Sequence, residues 1–429
     1  MQFIQFNEAN FEIIKRYIQK YPNKFKTLAK IVNSQNFQTT DSENEYNFLE
    51  PWIQWPSIYT GLNAKEHNIF RLGDVEKRQD LKNLFNEIDN IGISTGFICP
   101  MNLLNNFKNS HYFIPDPWTK TKVTGNLLLN SLYKTISYSV NNNSTGRIGL
   151  KNLLIFGFSV IIFSRLKFWP KYFHLVFKAI IKRQKWAKAL FLDLFIHNLN
   201  LSLQNKYKPK INVVFFNALA HIQHHYFLNS KLTLSKKKNP NWYIKSKDDP
   251  LYDAIILFDK IFEDYISSKN KVFLATALSQ SPANKPVFYY RLNNHKEFLT
   301  KFNIVVDEIL PRMTRDFTIN FSNEIQCNES AKKLNKIYLN GQNAFDIDNR
   351  GLSLFVTLKY PEEILNNDFF ESENIKIKAI ENVSFVAIKN GIHNNLGYVY
   401  HNMDLKVKHN FKNIFQIKDF LIKNIKINI

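Results

Sequence analysis

Apolar residues along this chain fall into two alternating patterns. Short β-like runs recur at Gln2–Phe6, Ile93–Ile98, Ile211–Phe216, Lys271–Thr276, Ser353–Leu358 and Val383–Lys389, several of them near-continuously apolar, as strands buried on both faces require. Between them lie longer segments with helical spacing, among them Phe11–Tyr21, Gln79–Asn90 and Tyr252–Ile266. Strands alternating with helices predict an α/β fold: a central, mostly parallel β-sheet flanked by helices on both faces. A length of 429 residues accommodates one large α/β domain with insertions or two domains. The organisation read here is a single domain, 1–429.

One region departs from the alternation. From about 148 to 206 helix follows helix, rich in aromatics, with a basic face of Arg165, Lys167, Lys171, Lys178, Lys182, Arg183, Lys185 and Lys188. It reads as a helical insertion between two strands. Two roles fit: a cap packed on the sheet, or a surface that touches anionic lipid or a lipid-linked substrate. Its most apolar run, Leu153 to Phe163 between Lys151 and Arg165, is shorter than the roughly 20 residues of a membrane span. Lys231–Asn241 and Asn142–Gly146 are polar and turn-rich, so loops are expected there.

Charge adds an anionic partner to this picture, with a competing explanation. The net charge is +21, yet only 10 of the 57 basic residues are Arg, and Lys, Asn and Ile are all heavily used. An AT-rich genome would produce that bias by itself. No zinc-finger or RNP signature is present, so nucleic acid is an unlikely partner. Contact with an anionic membrane stays open. Cys99 and Cys327 provide neither a disulfide framework nor a C-x-x-C zinc pattern. With an N-terminus, Met-Gln-Phe-Ile-Gln-Phe, unlike a signal peptide, this places the expectation in a reducing, cytoplasmic setting, extending to the inner membrane face.

Ligands of open α/β sheets sit beyond the carboxyl ends of the strands, so the residues that follow each predicted strand carry the candidate chemistry. Asn7 and Glu8 follow the first run. Asn217 follows Ile211–Phe216 and opens Asn217-Ala-Leu-Ala-His221-Ile-Gln-His224-His225-Tyr226. Ser279 and Gln280 follow Lys271–Thr276, and Gly391-Ile-His393 follows Val383–Lys389. Four distant parts of the chain thus bring ligand-type residues to strand ends. His221 and His225, at i and i+4, share a helix face and suit one ion. The plainer reading of the same segment is a helix start capped by Asn217 with hydrogen-bonded histidines. Arg312 and Arg315, three apart in a lysine-biased chain, suggest bidentate binding of phosphate or sulfate, against an Arg–Asp structural pair. Arg291 is similar in kind. Trp52, Gln54, Trp55, Asn102 and His225 are candidates to line the cleft with Asn7; for the tryptophans, packing competes with stacking on a sugar or base.

Taken in order, these segments resemble the motifs of the alkaline phosphatase superfamily, notably its nucleotide pyrophosphatase/phosphodiesterase and sulfatase branches. Thr60-Gly61, with His67 six residues beyond the glycine, is similar to the family's T-G-x-x-P-x-x-H-G-I run. Asn217 and His221 are similar to its D-x-x-x-H metal pair, Ser279-Gln280 to its S-D-H-G, and Gly391-Ile-His393 with Gly397-Tyr398 to its late metal-binding His. The set spans residues 7 to 398. The resemblance implies an alkaline phosphatase-like fold and a divalent ion, Zn, Mn or Ca, held by Glu8, Asn217, His221, Gln280 and His393. It further implies an anionic phosphate- or sulfate-ester substrate, with Glu50, Thr60, Arg312 and Arg315 as catalytic groups.

Departures from the family pattern shape the expectation. Asn217 and Gln280 stand where the family has Asp, Glu8 stands near where it has another, and no His follows Gln280. Fewer carboxylates hold a divalent ion less tightly, so one ion is expected rather than two. Pro51 occupies the nucleophile's position and cannot attack; Glu50 precedes it. The expected activity is a metal-dependent hydrolase or transferase of a phosphate or sulfate ester, on a cell-surface glycan or lipid-linked sugar. The alternative is a protein that keeps the fold, has lost catalysis, and binds an anionic glycan or a partner.

Overall fold

The computed structural model describes residues 1–141, 149–267, 270–312, 314–404 and 409–427. The loop expected at Asn142–Gly146 lies outside the described residues. The central sheet has seven strands: β1 (Gln2–Phe6), β2 (Phe37–Asp41), β3 (Thr95–Ile98), β4 (Ser110–Ile114), β5 (Ile211–Phe216), β6 (Val272–Ala275) and, late in the chain, β17 (Leu396–His401). Their order is β2-β17-β6-β1-β5-β3-β4. The five strands from β6 to β4 run parallel, while β17 pairs antiparallel with both β6 and β2.

Neighbouring residues on one strand point to opposite faces, and both faces are covered. Phe3 and Phe215 meet Trp55 of the Pro51–Thr60 helix, with ring centroids 6.4 and 6.0 Å apart. Phe6 and Phe216 meet Phe258 of the Pro250–Ile266 helix, at 4.6 and 5.8 Å. This explains why β1 and β5 are buried at every position, Gln2, Gln5 and Asn212 included, and why their predicted bounds match the observed ones. Between β4 and β5 come the helices Leu127–Asn141, Leu150–Phe163, Trp169–Ile180 and Trp186–Tyr207.

A second hydrophobic core, built from residues between Phe288 and Ile388, lies between β6 and β17 in the chain. Two long strands lead into it: β7 (Ser279–Leu292) and β16 (Val383–Asn394) pair antiparallel, from Ser279 opposite Asn394 to Leu292 opposite Val383. Two four-stranded antiparallel sheets follow. One orders β12 (Phe345–Asn349), β13 (Ser353–Leu358), β9 (Asp316–Asn320) and β8 (Glu308–Pro311); the other orders β11 (Gln342–Asn343), β10 (Tyr338–Leu339), β14 (Phe369–Ser372) and β15 (Ile375–Lys378). Ser353–Leu358 and Val383–Lys389 are strands, as expected, but they belong to these antiparallel pairings and not to the parallel sheet. The strict alternation of half-buried and buried residues in Ser353–Leu358 is what an antiparallel sheet with one wetter face produces.

Candidate metal centre at the strand ends

The carboxyl ends of the parallel strands carry backbone strain. Glu8 after β1, Cys99 after β3 and Ala277 after β6 all have left-handed backbones, with φ of 53°, 55° and 62°, a conformation that costs a non-glycine residue about 1 kcal/mol or more. At Glu8 the turn carries a carboxylate into the protein. Its loop is held from two sides: Gln223 donates from Nε2 to the Glu8 carbonyl at 2.7 Å and accepts at Oε1 from the Asn10 amide at 3.0 Å. Asn10 donates in turn to the Gln280 carbonyl at 2.6 Å.

Two histidines converge on this carboxylate. His224 Nε2, from the Ala218–Tyr226 helix, and His393 Nε2, from β16, each lie 2.9 Å from Glu8 Oε2, and the two nitrogens are 3.4 Å apart. One donor atom from each of these three residues falls within 4.8 Å of the others. Burial opposes ionisation of Glu8, but the charges and hydrogen bonds of His224 and His393 outweigh it and hold the carboxyl well below its usual range. Burial likewise works against protonated His393, and the Glu8 charge overcomes it, raising His393. The cluster meets solvent on the side of His224 and Glu50, whose side chains are 26% and 33% exposed.

The surrounding amides are fixed by groups that can only donate or only accept. Trp55 Nε1 donates to Asn7 Oδ1 at 2.9 Å, so the Asn7 amide nitrogen must face the site, where it donates to Glu8 Oε1 and Asn217 Oδ1 at 2.9 and 2.8 Å. Gln280 Nε2 donates to Glu8 Oε2 at 2.5 Å and to the Ala220 carbonyl at 3.1 Å. Glu50 immediately precedes the Pro51–Thr60 helix. Proline at the first helical position is pre-set for the turn, and the Glu50 side chain makes no capping bond; its Oε2 lies 3.4 Å from His393 Nδ1. Burial raises the Glu50 pKa; His393 pulls it down, Glu8 adds to the rise, and Lys389 again lowers it.

Of the residues chosen from sequence as metal ligands, Glu8 and His393 stand in the cluster and Gln280 bonds directly to Glu8. Asn217 is one amide removed, through Asn7. His221 lies outside the three-residue cluster, and the third donor is His224. The His221 ring packs edge-on against His225, centroids 4.7 Å apart, and burial with the neighbouring His224 lowers its pKa to about 4. His225 Nδ1 sits 3.1 Å from the Ile388 carbonyl.

The arginines stand away from this cluster. Arg312 and Arg315 flank the turn between β8 and β9 in the second core: Arg312 donates to Thr318 Oγ1 at 3.2 Å and the Arg315 guanidinium lies 3.9 Å over the Tyr289 ring. Tyr289 pairs with Ala387, six positions up β16 from His393, about 20 Å along an extended strand. Arg291 pairs with Ser384, farther still. The cation whose charge reaches Glu50, His393 and His225 is Lys389.

The remaining choices do structural work. Thr60, at the far end of its helix from Glu50, donates back to the Pro56 carbonyl at 2.8 Å. Gln54 and Trp52 donate to the carbonyls of Phe48 and Phe70 at 2.7 and 3.0 Å. Asn102 ties the Trp52 and Arg71 carbonyls together at 2.9 and 3.0 Å. Buried Ser57 and His67 are 3.0 Å apart, but this is no nucleophile and base. His67 Nδ1 accepts from the Ile69 amide, leaving its proton on Nε2, and Ser57 donates to the Ile53 carbonyl.

Asp193, which the sequence reading did not single out, anchors the helix that bears His224. From the Trp186–Tyr207 helix its Oδ2 accepts from the Asn217 and Ala218 amides at 2.9 and 2.7 Å. Burial raises its pKa from 3.8 to about 7. A carboxyl raised in the folded state contributes stability that is full below the unfolded value and lost as pH climbs through the folded one. Asp193→Asn keeps an acceptor and never ionises. Its stability relative to the parent should therefore rise between pH 4 and 7, by up to about 4 kcal/mol, and level off above. Melting curves across that range check this; a pH-independent difference would refute it.

No protein-family model and no curated protein matches the chain. Solved structures similar over nearly the whole chain include phosphonoacetate hydrolase from Sinorhizobium meliloti 1021 in complex with phosphonoformate. It shares 10% identity, with 99% of this chain and 95% of that one covered and a TM-score of 0.43. Murine ectonucleotide pyrophosphatase/phosphodiesterase 5 shares 9% over 99% and 95%, at 0.41. Wild-type alkaline phosphatase PafA shares 10% over 99% and 95%, at 0.45. Likenesses this loose leave the meaning of the site to its own residues.

Proposed function

We propose that the protein is a metal-dependent hydrolase or transferase of phosphate or sulfate esters, related to the alkaline phosphatase superfamily and using one divalent ion. The observation that carries this reading is the convergence of Glu8, His224 and His393. Donor atoms around a tetrahedral ion at 2.0–2.1 Å lie about 3.3 Å from one another. The two imidazole nitrogens, at 3.4 Å, already have that spacing; the carboxylate oxygen, at 2.9 Å from each, needs to retreat by a few tenths of an ångström. Two imidazoles and one carboxylate suit Zn²⁺ or Mn²⁺ better than Ca²⁺, which prefers more oxygen donors.

When bound, such an ion supplies a Lewis acid for the ester oxygen and favours ionisation of water. Glu50 has the position and the raised pKa of a group that carries a proton at this mouth. Lys389 brings positive charge toward the same side. Ser57 and Thr60 are committed to carbonyls of their own helix, so water is the fitting acceptor of the transferred group. The finer reading, an ester borne on a surface glycan or a lipid-linked sugar, draws on the basic helical segment.

A second reading, a binding protein without catalysis, is favoured by one observation. Asn7, Gln280 and both histidines already satisfy the Glu8 carboxylate without an ion. The deciding experiment combines metal analysis with hydrolysis of nitrophenyl phosphate and sulfate esters. The hydrolase reading expects about one ion per chain. It also expects Glu50→Gln to keep that ion while losing about 100-fold or more in rate. Absence of bound ion, with no thermal stabilisation by Zn²⁺ or Mn²⁺, would instead select the binding protein.

A further inference from the structure

The helices Leu150–Phe163 and Trp169–Ile180 are apolar on the outside, where a helix resting on a protein core is normally polar. Leu150, Leu154, Phe158 and Ile161 recur at three- and four-residue spacing and are 57–72% exposed. Phe173, Phe177 and Ile180 form a second stripe, 47–68% exposed, and Leu166 at the turn between the helices is 85% exposed. The inner sides are accounted for: Phe156 and Tyr172 both pack on Phe191 of the Trp186–Tyr207 helix, at 6.0 and 5.0 Å. Eight large apolar side chains thus stand exposed along one segment, whereas the largest apolar patch of an ordinary monomer covers only roughly 300–600 Å².

Charge identifies what covers it. No acidic residue stands between Asp116 and Asp193, whereas thirteen Lys and Arg do. Some of these are paired inward: Arg165 and Lys167 with Asp264, Lys178 with Asp253. Lys151, Lys182, Arg183, Lys185 and Lys188 are exposed and have no acidic partner among the described residues. An apolar stripe flanked by free cations complements an anionic bilayer, whose acyl boundary takes Leu, Ile and Phe and whose phosphates take Lys and Arg. Among the described residues no single helix is long and apolar enough to cross a membrane, and the two helices turn by 118° between them. That shape suits lying in the interface. We infer that the segment 150–188 docks the protein on an anionic lipid bilayer without crossing it. The inference does not depend on the chemistry of the metal centre.

The test is flotation of the full chain with vesicles of phosphatidylcholine alone or mixed with phosphatidylglycerol, at about 0.1 M salt and again at higher salt. The protein should float with the anionic vesicles. Binding should fall at least about 10-fold in Lys182→Ser/Arg183→Ser/Lys185→Ser and at high salt. It should fall at least as far in Leu154→Glu/Phe158→Glu/Ile161→Glu. All six positions are exposed or on the solvent side, so unchanged melting curves would show both variants folded. Failure of the parent protein to float, or equal flotation of the triple-Glu variant, would overturn the proposal. So would a lipid-free dimer in sedimentation equilibrium that the triple-Glu variant dissociates, since a second copy would then be the occupant.

Discussion

His224→Ala should abolish binding of the divalent ion, while His221→Ala should leave it intact. The two histidines sit on one short helix, three residues apart, and sequence alone favoured His221. In the structure only His224 points its Nε2 at Glu8, 2.9 Å away, and at His393, whereas His221 packs on His225. Removing one of three donors leaves two, and affinity should drop by more than the roughly 10–100-fold typical of losing a supporting contact outside the ligand set. Isothermal titration with Zn²⁺ and with Mn²⁺, each against a competing chelator, gives the comparison. A thermal readout is independent of catalysis: an ion at 100 times its dissociation constant stabilises the parent by about 2.7 kcal/mol. That increment should vanish in His224→Ala and persist in His221→Ala. The opposite ranking would place the centre at the sequence-derived pair and dismantle the cluster described here.

Why His221 was favoured shows where sequence reasoning runs out. On a helix, i+3 and i+4 are equally good neighbours, so the spacing of Asn217, His221, His224 and His225 does not say which ring faces the strand ends. That depends on how the Ala218–Tyr226 helix is rolled about its axis, which Asp193, from a neighbouring helix, and Gln223, through its bond to the Glu8 carbonyl, help to fix. What was legible followed from burial on both faces: every position of β1 and β5 is buried, so neither strand has a wet face to blur its bounds. The strand-end rule then led to Glu8, Gln280 and His393 although they are up to 385 residues apart. Arg312 and Arg315 lie away from the cluster for a matching reason. Their spacing was read correctly, but the second core that carries them is made of short antiparallel strands, and a period-two pattern such as Ser353–Leu358 does not declare which sheet it joins. Lys389 was hidden by abundance: in a chain with 57 basic residues, one more lysine gives no signal until the fold brings its charge within reach of Glu50 and His393.

Strain and chemistry coincide at this edge of the sheet. The three left-handed residues that end β1, β3 and β6 each give up backbone energy that a glycine would not, and such outliers persist where surrounding contacts over-determine them. At Glu8 those contacts are visible: Gln223 on its carbonyl, Thr276 on its amide at 3.2 Å, and Asn7, Gln280 and two histidines on its carboxylate. The second core contributes here as well, because the β7/β16 ladder that leads into it places Gln280 opposite His393, one pair from its end. The segment that sequence reading treated as part of one uniform sheet is therefore also the arm that delivers two of the site's residues.

Gly391→Ala should be the most damaging single methyl group that can be added to this site. A β-carbon at Gly391 would lie 1.9 Å from Gln280 Oε1 and 3.0 Å from the Gln223 carbonyl oxygen. The second contact is with backbone and cannot swing away. Gln280 can leave only by breaking its bonds to Glu8 and to the Ala220 carbonyl, which removes one of the donors that hold the buried carboxylate. Overpacking and a stranded buried acceptor together should cost about 2–4 kcal/mol, with ion affinity falling roughly 10-fold through the loss of a bond that orients Glu8. Gln280→Ala alone should cost less, about 1–2 kcal/mol, since it removes a donor without a clash. The double variant separates the two effects. Once the carboxamide is gone, the new methyl group occupies part of its space. Gly391→Ala/Gln280→Ala should then be more stable than the sum of the singles by about 1–2 kcal/mol. Denaturant titration of the four proteins measures that coupling. Strict additivity would mean that Gly391 is needed for the path of β16 and not for the room that Gln280 takes beside Glu8.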